Sequence, residues 1–530
     1  MIFHKRILVC ILLVILIVAF LHYLQNYPAI FDINLADETR YLGMGQSSAP
    51  LPLNDYEISA LYGLFYRIIS RFVIDPVELY MIGGVLIVLS AYCSLIISIF
   101  LISRSPVLTT LVASVLIFSG YFAAEPRVSY LAIVILSLGT ALALHFKRLS
   151  QKSAILAVAS FLCAFARPEF VLVFYAMGAI AALSLLWDLW VELRVGTDKT
   201  SVFVRNAVPA LSVLVVAALS FAWSFPALSG SGRAFAAFEQ HYALRYVMER
   251  RLTLNPWLFY DQVIAKEFPG ATTFWEAYRI FPRKIVIFIS GNLRELAATL
   301  WNSVSMTVTE QPVFLGISFA LLVGAIVWRL VLARPTPADQ ARPPASCREQ
   351  LLDLGLIAVF AIPPLLGCIL VYPHPHYIVI LELSACLFVA RALRGRGPGV
   401  SPVLAIAIGV GLILAVRPLP IVPQPMLKII EALRRLPPLR GPIGTDERWC
   451  VYLQRPCATP LPDSFQMTSL EDGTIGAVLV SPTMVSQQKD HPNPALQFLF
   501  DGSSQPGWRS DRLGEGYSIF YRLPAGNAPQ

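Results

Sequence analysis

The stretch that decides the fold is Ile7–Leu24, ILVCILLVILIVAFLHYL, which contains no Asp, Glu, Lys or Arg. A helix that crosses a membrane needs about 20 apolar residues, and Lys5 and Arg6 provide a basic flank on its N-terminal side. The stretch is longer than the apolar part of an ordinary signal peptide, and no small-residue cleavage site follows it. We therefore predict an uncleaved first span whose N-terminus is cytoplasmic.

The composition of the whole chain supports a membrane protein. Of the 530 residues, 56% are hydrophobic and 14% are charged, whereas soluble domains carry about 25% charged residues. The net charge of +8 comes from dispersed bases, and no basic patch with interleaved aromatic residues is evident. We therefore expect membrane lipids as surroundings and no nucleic acid as a partner.

Apolar runs recur along the chain and predict about eleven spans. They cover residues 7–24, 77–102, 106–123, 128–146, 153–166, 170–190, 206–225, 313–332, 351–371, 376–393 and 401–416. With the N-terminus inside, every proposed cytoplasmic loop is basic, and the short outer loops AAEPRV, FARPEF and YPHPHY hold one arginine or none. This asymmetry agrees with the positive-inside rule. The odd number of spans puts the C-terminus outside.

The topology predicts two domains. Residues 1–416 form a transmembrane domain with outer loops at 25–76 and 226–312, and residues 417–530 form an outer domain. The second loop contains KIVIFISGNLRELAATLWNSV, 284–304, which is amphipathic and predicts either an interfacial helix or a further span.

The outer domain combines helical and strand patterns. MLKIIEALRRL, Met426–Leu436, has helical apolar spacing with basic flanks, which favours a helix on the membrane surface. IGAVLVS and YSIFYRL predict strands between turns, so we expect a small α+β domain. Cys450 and Cys457 are either two free thiols or a disulfide, if this domain faces an oxidising compartment; we favour the disulfide.

Acids follow the first span in LADETRYLGMGQ, Leu35–Gln46. Asp37 and Glu38 would lie near the membrane boundary, where a carboxylate can take a proton from an acceptor hydroxyl. The alternative is a solvated acid in the first turn of a helix. Asp32 is a weaker candidate of the same kind.

Two further outer turns carry charge. Glu125 follows an apolar run, and an ionisable group at that depth is a candidate for function; the alternative is an acid at a helix N-terminus beside Pro126. Arg167 and Glu169 lie between two other runs. Arginine suits phosphate recognition, but the two side chains would also pair with each other.

A third outer turn, VYPHPHYIVILEL, contains His374, His376 and Tyr377. Two histidines could contribute to a metal site, but no third ligand occurs at zinc-site spacing. Contact with a phosphate or a sugar hydroxyl is the favoured role, and an interfacial position is the alternative for Tyr377. No nucleotide-binding or hydrolase motif is present.

DETRY, Asp37–Tyr41, resembles the first-loop motif of lipid A aminoarabinose transferases. These belong to the GT-C superfamily of membrane glycosyltransferases, to which the protein O-mannosyltransferases are related in fold. The order of features along the chain is similar to that superfamily, and RPE, Arg167–Glu169, is similar to a turn in its bacterial members. LGMGQSSAPLPLNDYE, which follows the motif, departs from the aminoarabinose transferases, so the acceptor stays open.

The resemblance implies a GT-C-like helical fold in a bacterial inner membrane, with the C-terminal domain in the periplasm. It implies inverting transfer of a sugar from a polyprenyl-phosphate donor to a lipid, polysaccharide or protein acceptor. Asp37 would deprotonate or orient the acceptor, with Glu38 beside it, and Glu125 would be a second acid near the sugar. The residues implied in binding donor phosphate or substrate are Arg40, Tyr41, Arg167, Glu169, His374, His376 and Tyr377. A divalent metal is compatible with the acids but is not required, and no other cofactor is implied.

Two other functions fit a polytopic protein. A transporter or flippase of a lipid-linked saccharide would show paired broken helices and charges at the membrane midplane. The candidate charges here occur at outer turns, which favours surface chemistry. The third alternative is a non-catalytic scaffold whose outer domain binds a partner.

Overall fold

The structure is a computed structural model. It describes residues 2–35, 37–51, 59–118, 125–195, 233–252, 256–257, 259–310, 347–394, 402–439, 441–445, 449–458, 474–482, 484–485 and 508–522. The predicted spans 206–225 and 313–332 lie outside these residues.

The described chain is mostly helical, with one small sheet. The helices are α1 (Ile2–Tyr23), α2 (Asp37–Gln46), α3 (Ala60–Ile69), α4 (Pro76–Ser103), α5 (Pro106–Phe118), α6 (Val128–Ala143), α7 (Leu149–Ala164), α8 (Val171–Val195), α9 (Arg233–Arg250), α10 (Tyr260–Glu267), α11 (Phe274–Ile280), α12 (Pro282–Glu310), α13 (Cys347–Val359), α14 (Ile362–Leu370), α15 (Pro375–Ala392), α16 (Pro402–Ala415), α17 (Pro425–Arg434) and α18 (Cys450–Leu453). A single 3₁₀ turn, Pro168–Phe170, precedes α8.

Three helices in the described residues are long and apolar enough to cross a membrane: Pro76–Ser103, Pro168–Glu192 and Glu349–Leu370. The last corresponds to the predicted span 351–371 and divides into α13 and α14. Proline fits the first turn of a helix, where its missing N–H is not needed, and α14 begins with Pro363 and Pro364 in that turn. The other predicted spans in this part of the chain are helical but shorter or less apolar, so eleven spans stay a prediction.

Met1–Gln25, Pro52–Tyr62 and Leu86–Pro418 form one compact unit. Within it α6 packs on α7 at very close range, because a Cβ on Gly139 would lie 2.6 Å from the Cβ of Ala159. Small residues allow helix backbones to approach closely in membranes. This contact therefore requires glycine at position 139.

The predicted outer loop 226–312 contributes an aromatic cluster to this unit. The ring of Phe238 on α9 lies 6.0 Å from that of Phe268, 5.2 Å from that of Phe274 and 5.7 Å from that of Phe288. Helices α9 to α12 thus share a core of their own. The predicted amphipathic segment 284–304 lies within α12.

Asn26–Leu51, Gly63–Val85 and Leu419–Gln530 form the second compact unit. The unit includes most of the predicted first outer loop as well as the C-terminal region. Asp32 connects the first segment of this unit to the C-terminal segment. Its carboxylate accepts hydrogen bonds from the backbone N–H groups of Met426, at 2.7 Å, and Leu427, at 3.0 Å. Asp32, which the sequence offered as a weak catalytic candidate, therefore caps the N-terminus of α17.

The second unit contains a five-stranded sheet in the order β2-β1-β3-β5-β4. Its strands are β1 (Ile443–Thr445), β2 (Cys457–Ala458), β3 (Ala477–Val480), β4 (Trp508–Gly514) and β5 (Tyr517–Arg522). Strand β1 pairs in parallel with β2 and β3, whereas β5 pairs antiparallel with β3 and β4. The sheet and α17 give the small α+β arrangement that the sequence predicts.

Helix α17 differs from its prediction in one respect. Its apolar residues Ile429, Ile430 and Leu433 are at most 1% exposed, so this face is buried in protein. The face is not available to lie on a membrane surface, as its amphipathic pattern had suggested. The same pattern describes both cases, because a helix buries its apolar stripe against either protein or lipid.

Cys450 and Cys457 form a disulfide. It joins the start of α18 to β2. The disulfide predicted from the sequence, in preference to two free thiols, is confirmed.

Candidate functional site

The candidate site in the first unit is built around the turn between α14 and α15. His374 precedes α15, and Pro375 occupies the first turn of that helix. The His374 carbonyl accepts hydrogen bonds from the N–H groups of Tyr377, at 2.9 Å, and Ile378, at 3.2 Å. The Pro-His-Pro-His sequence thus places three aromatic side chains, of His374, His376 and Tyr377, at the start of one helix.

A further histidine contacts this turn from the long loop. The Nε2 atoms of His241, on α9, and His374 are 2.6 Å apart, and His241 Nδ1 lies 2.6 Å from the carbonyl oxygen of Ala237. A carbonyl only accepts, so Nδ1 of His241 carries hydrogen. In the neutral pair, His374 then donates its Nε2–H to His241.

Both imidazoles are held neutral. Burial lowers the pKa of His241. Burial, followed by the charges of neighbouring groups including Arg167 and Arg127, lowers the pKa of His374 to about 4. At neutral pH the pair therefore carries no charge of its own, and both of its N–H groups are used, one on the carbonyl of Ala237 and one between the two rings.

The predicted residues Arg167 and Glu169 lie next to this turn. The guanidinium of Arg167 lies 4.8 Å from the centre of the Tyr377 ring, a cation–π distance. It also forms an ion pair with Glu169, with an Nη2–Oε1 distance of 2.6 Å. The ion pair is the alternative to phosphate binding that the sequence left open, and an incoming anion would compete with Glu169 for Arg167.

His376 lies between His374 and Tyr377. Its ring is 5.0 Å from that of His374, nearly parallel at 14°, and 4.4 Å from that of Tyr377. Tyr377 in turn lies against Gly367, where a Cβ would be 2.7 Å from the ring. The structure thus brings together Arg167, Glu169, His374, His376 and Tyr377, and their common role stays a prediction.

Glu125, the predicted second acid, forms an ion pair with Arg127 at 3.0 Å, and its side chain is 50% exposed. The charge of Arg127 is the smallest of the effects that lower the pKa of His374. An exposed ion pair adds little to stability. The role of Glu125 as a second acid near the sugar therefore stays a prediction.

Polar side chains of α9 and α12 form hydrogen bonds that hold this turn in place. Asn292, on α12, is fully buried and donates to the carbonyl oxygens of Ile369, at 3.0 Å, and Val371, at 3.1 Å. Its Oδ1 accepts from Arg245 at 2.9 Å. Tyr372 donates a hydrogen bond to Glu295, and burial together with that carboxylate raises the pKa of Tyr372 to about 12.

The DETRY acids belong to the second unit. Asp37 begins α2, and its side chain lies outside the described residues. Glu38 is 4% exposed and accepts a hydrogen bond of 2.5 Å from the hydroxyl of Tyr66. Burial and, second, the charge of Glu38 raise the pKa of Tyr452, so Glu38 has two tyrosines close to it.

Tyr66 is itself fixed by close packing. A Cβ on Gly45 would lie 2.5 Å from the Cβ of Tyr66, and a Cβ on Gly83 would lie 2.6 Å from its ring. The Glu38 carboxylate is therefore held in one position. Of the other motif residues, Arg40 is half-buried and Tyr41 is 4% exposed.

His241, Asn292 and Glu295, which complete the histidine turn, were not among the residues predicted from the sequence. His241 occurs in FEQHYALRY and Asn292 and Glu295 in ISGNLREL, and neither pattern differs from that of an ordinary amphipathic helix. His241 and His374 are 133 positions apart, so only the folded chain shows the pair. In the described residues, no three His, Cys, Asp or Glu side chains come together as a set that could hold a metal ion.

No protein-family description matches this chain, and no curated protein is significantly similar to it in sequence.

Proposed function

We propose that this protein is an inverting membrane glycosyltransferase with a GT-C-like fold that takes its sugar from a polyprenyl-phosphate donor. The observation that carries the proposal is the cluster of Arg167, His374 and His376 at the ends of apolar helices, with His241 of α9 in contact with His374. Ionisable residues at such positions are expensive and mark substrate sites. The resemblance of Asp37–Tyr41 to the first-loop motif of aminoarabinose transferases supports the same function.

In the proposed reaction the acceptor hydroxyl oxygen attacks the anomeric carbon of the donor sugar. The bond between that carbon and the phosphate oxygen breaks, and the polyprenyl phosphate leaves with the electron pair. Asp37 accepts the proton of the hydroxyl. Glu38, held by Tyr66, adds a fixed negative charge to the same helix.

The resemblance to the GT-C superfamily implies that Arg167 and its neighbours bind the phosphate of the donor. A guanidinium binds phosphate oxygens with paired, charge-assisted hydrogen bonds. The neutral imidazole of His376 can donate its N–H group to the same oxygens, whereas the N–H of His374 is used in its bond to His241. Such fixed donors stabilise the transition state where charge appears.

The proposed membrane arrangement follows the basic loops. About eleven spans place the N-terminus in the cytoplasm, and place the DETRY motif and residues 417–530 in the periplasm of a bacterial inner membrane. A periplasm contains no nucleotide sugars, so a lipid-linked donor agrees with a sequence that carries no nucleotide-binding motif. The acceptor is a lipid, a polysaccharide or a protein.

The test is deletion of the gene in its source organism, followed by mass spectrometry of surface glycans and lipids. We expect one sugar modification to disappear, to return with the wild-type gene and to stay absent with Asp37→Asn, while the variant accumulates in the membrane. Glu431→Gln is the control, because Glu431 is half-exposed and pairs with Arg435, four residues further along the chain, at 3.4 Å. Full restoration by Asp37→Asn contradicts the enzyme and favours a transporter or scaffold.

A further inference from the structure

The disulfide between Cys450 and Cys457 closes a short loop in the second compact unit. We call residues 450–457 the disulfide loop; it contains α18 and ends at the first residue of β2. Both cysteines are half-buried, so the bond is not enclosed in the core. The side chains between them contact the predicted first outer loop, which lies far away in the sequence.

Two residues of the disulfide loop pack against α2, the helix that carries the DETRY motif. Tyr452 is fully buried, and its hydroxyl donates a hydrogen bond of 3.2 Å to the carbonyl oxygen of Asn34, just before α2 begins. Val451 packs against the second half of α2, because a Cβ on Gly43 would lie 3.5 Å from its Cγ2 atom, an ordinary van der Waals distance. The loop thus contacts α2 at two places.

The backbone of the disulfide loop is held by α17 and by the turn before α4. Arg434 donates two hydrogen bonds to the carbonyl oxygen of Tyr452, from Nε at 2.9 Å and from Nη2 at 2.6 Å. Its Nη1 atom pairs with Asp75 at 2.8 Å, and Gln454 donates to the same carboxylate oxygen at 2.9 Å. Gln454 has a φ of 53°, a left-handed conformation that is unfavourable for glutamine without support from its surroundings. We therefore expect the loop to lose this shape once the disulfide is opened.

The larger part of the sheet is held together by other contacts. Strand β3 pairs with β5 over Ala477–Val480, and all four of these residues are buried. Strand β4 pairs with the other edge of β5. Strand β2, which begins with Cys457, is joined to β1 by two residue pairs. Opening of the disulfide should therefore loosen the disulfide loop and β2, while β3, β4 and β5 stay paired.

We propose that the disulfide loop is a redox-sensitive clamp on α2, with Cys450 and Cys457 as positioning residues for the helix that begins at Asp37. A dithiol reductant supplies two electrons and two protons: the Sγ–Sγ bond breaks, both cysteines become thiols, and the reductant itself becomes a disulfide. The opened loop then releases its contacts with Asn34 and Gly43. That α2 must be fixed for sugar transfer rests on the proposed function, whereas the clamp itself does not.

The experiment is hydrogen–deuterium exchange, read by mass spectrometry on the full chain in detergent, before and after treatment with dithiothreitol. Alkylation of both thiols verifies that the disulfide is open. We expect the backbone amides of α2 to exchange on the order of tenfold faster in the reduced protein, and those of β3 and β5 to exchange as before. The variant Cys450→Ser with Cys457→Ser should show fast exchange in α2 from the start. Dithiothreitol should not change it further, which controls for other effects of the reagent.

A second variant tests the same contact while the disulfide stays closed. Tyr452→Phe removes the hydroxyl that donates to Asn34, and should speed exchange at the start of α2 on the order of fivefold. Tyr521→Phe is the matched control, because it removes a hydroxyl that donates to Asp511, on β4, at 2.8 Å. We expect α2 to exchange in this control as in wild type.

Three results would overturn the proposal. In the first, α2 exchanges equally slowly with the disulfide open and closed. In the second, β3 and β5 lose protection together with α2, so that the disulfide stabilises the whole domain and is no clamp. In the third, Tyr452→Phe exchanges in α2 as Tyr521→Phe does.

The exchange measurement involves no sugar, so the clamp and the proposed function fail separately. Faster exchange in α2 on reduction supports the clamp even if deletion of the gene changes no surface sugar. Unchanged exchange in α2 overturns the clamp even if deletion removes a sugar.

Discussion

Replacement of Asp353 by asparagine tests how the first unit tolerates buried charge. Asp353 is 1% exposed and is the shared partner of Lys152 and Arg391, each with a nitrogen–oxygen distance of 2.6 Å. The substitution would keep the volume of the side chain but remove its charge. Both cations would then be left buried without this counter-ion.

The magnitude follows from the geometry. Removal of one partner of a buried ion pair costs about 3–5 kcal/mol, because the remaining charge has lost its solvent and its counter-ion. Two cations share this carboxylate, so we expect Asp353→Asn to destabilise the protein toward the upper end of that range. An exposed pair is worth only about 0–1 kcal/mol.

The measurement is thermal unfolding of the purified protein in detergent. Asp353→Asn should unfold at a clearly lower temperature than wild type, whereas the control Glu431→Gln should match wild type. Simultaneous replacement of Lys152, Asp353 and Arg391 by Met, Leu and Leu removes all three charges, and should recover most of the loss. If the Asp353→Asn protein is as stable as Glu431→Gln, the reasoning about the buried cluster is refuted.

Three further predictions concern single contacts. Tyr66→Phe removes the hydroxyl that donates to buried Glu38, and should cost about 1–3 kcal/mol in unfolding free energy, seen as a lower denaturation midpoint. Gly139→Val places a side chain where even a Cβ would lie 2.6 Å from Ala159, so we expect loss of folded protein in size-exclusion chromatography. The control Gly178→Val, at a position where a Cβ would have nothing within 4 Å, should behave as wild type. Because the folded state lowers the pKa of His374 to about 4 from an unfolded value of about 6.5, the unfolded chain binds the proton more tightly. Stability from His374 should therefore fall as pH drops from about 6.5 to about 4, and His374→Asn should lose less on acidification over that range.

Helix positions were the part of the fold most accessible from the sequence. Runs of apolar residues such as those in α4 and α8 are too long for strands, and prolines at the start of α14 and α15 mark where helices begin. The disulfide between Cys450 and Cys457 could be predicted because the two residues are close in sequence. Each of these signals is local.

The features that the sequence did not reveal depend on partners distant in the sequence. Asp32 resembles any loop acid until the N-terminus of α17, nearly 400 residues later, is found against its carboxylate; the separation from Met426 is 394 positions. The apolar face of α17 looks the same whether lipid or protein covers it. Likewise, His241 becomes a site residue only through its bond to His374.

The most direct test of the proposed glycosyltransferase is the lipid extract of the deletion strain. Without an active transferase the donor should stay unused. Mass spectrometry should therefore show a polyprenyl-phosphate-linked sugar that accumulates in the deletion strain and in a strain carrying Asp37→Asn. The accumulated lipid should disappear when the wild-type gene is restored. If no such lipid accumulates while the matching surface sugar remains in place, the protein does not transfer sugar from a polyprenyl-phosphate donor.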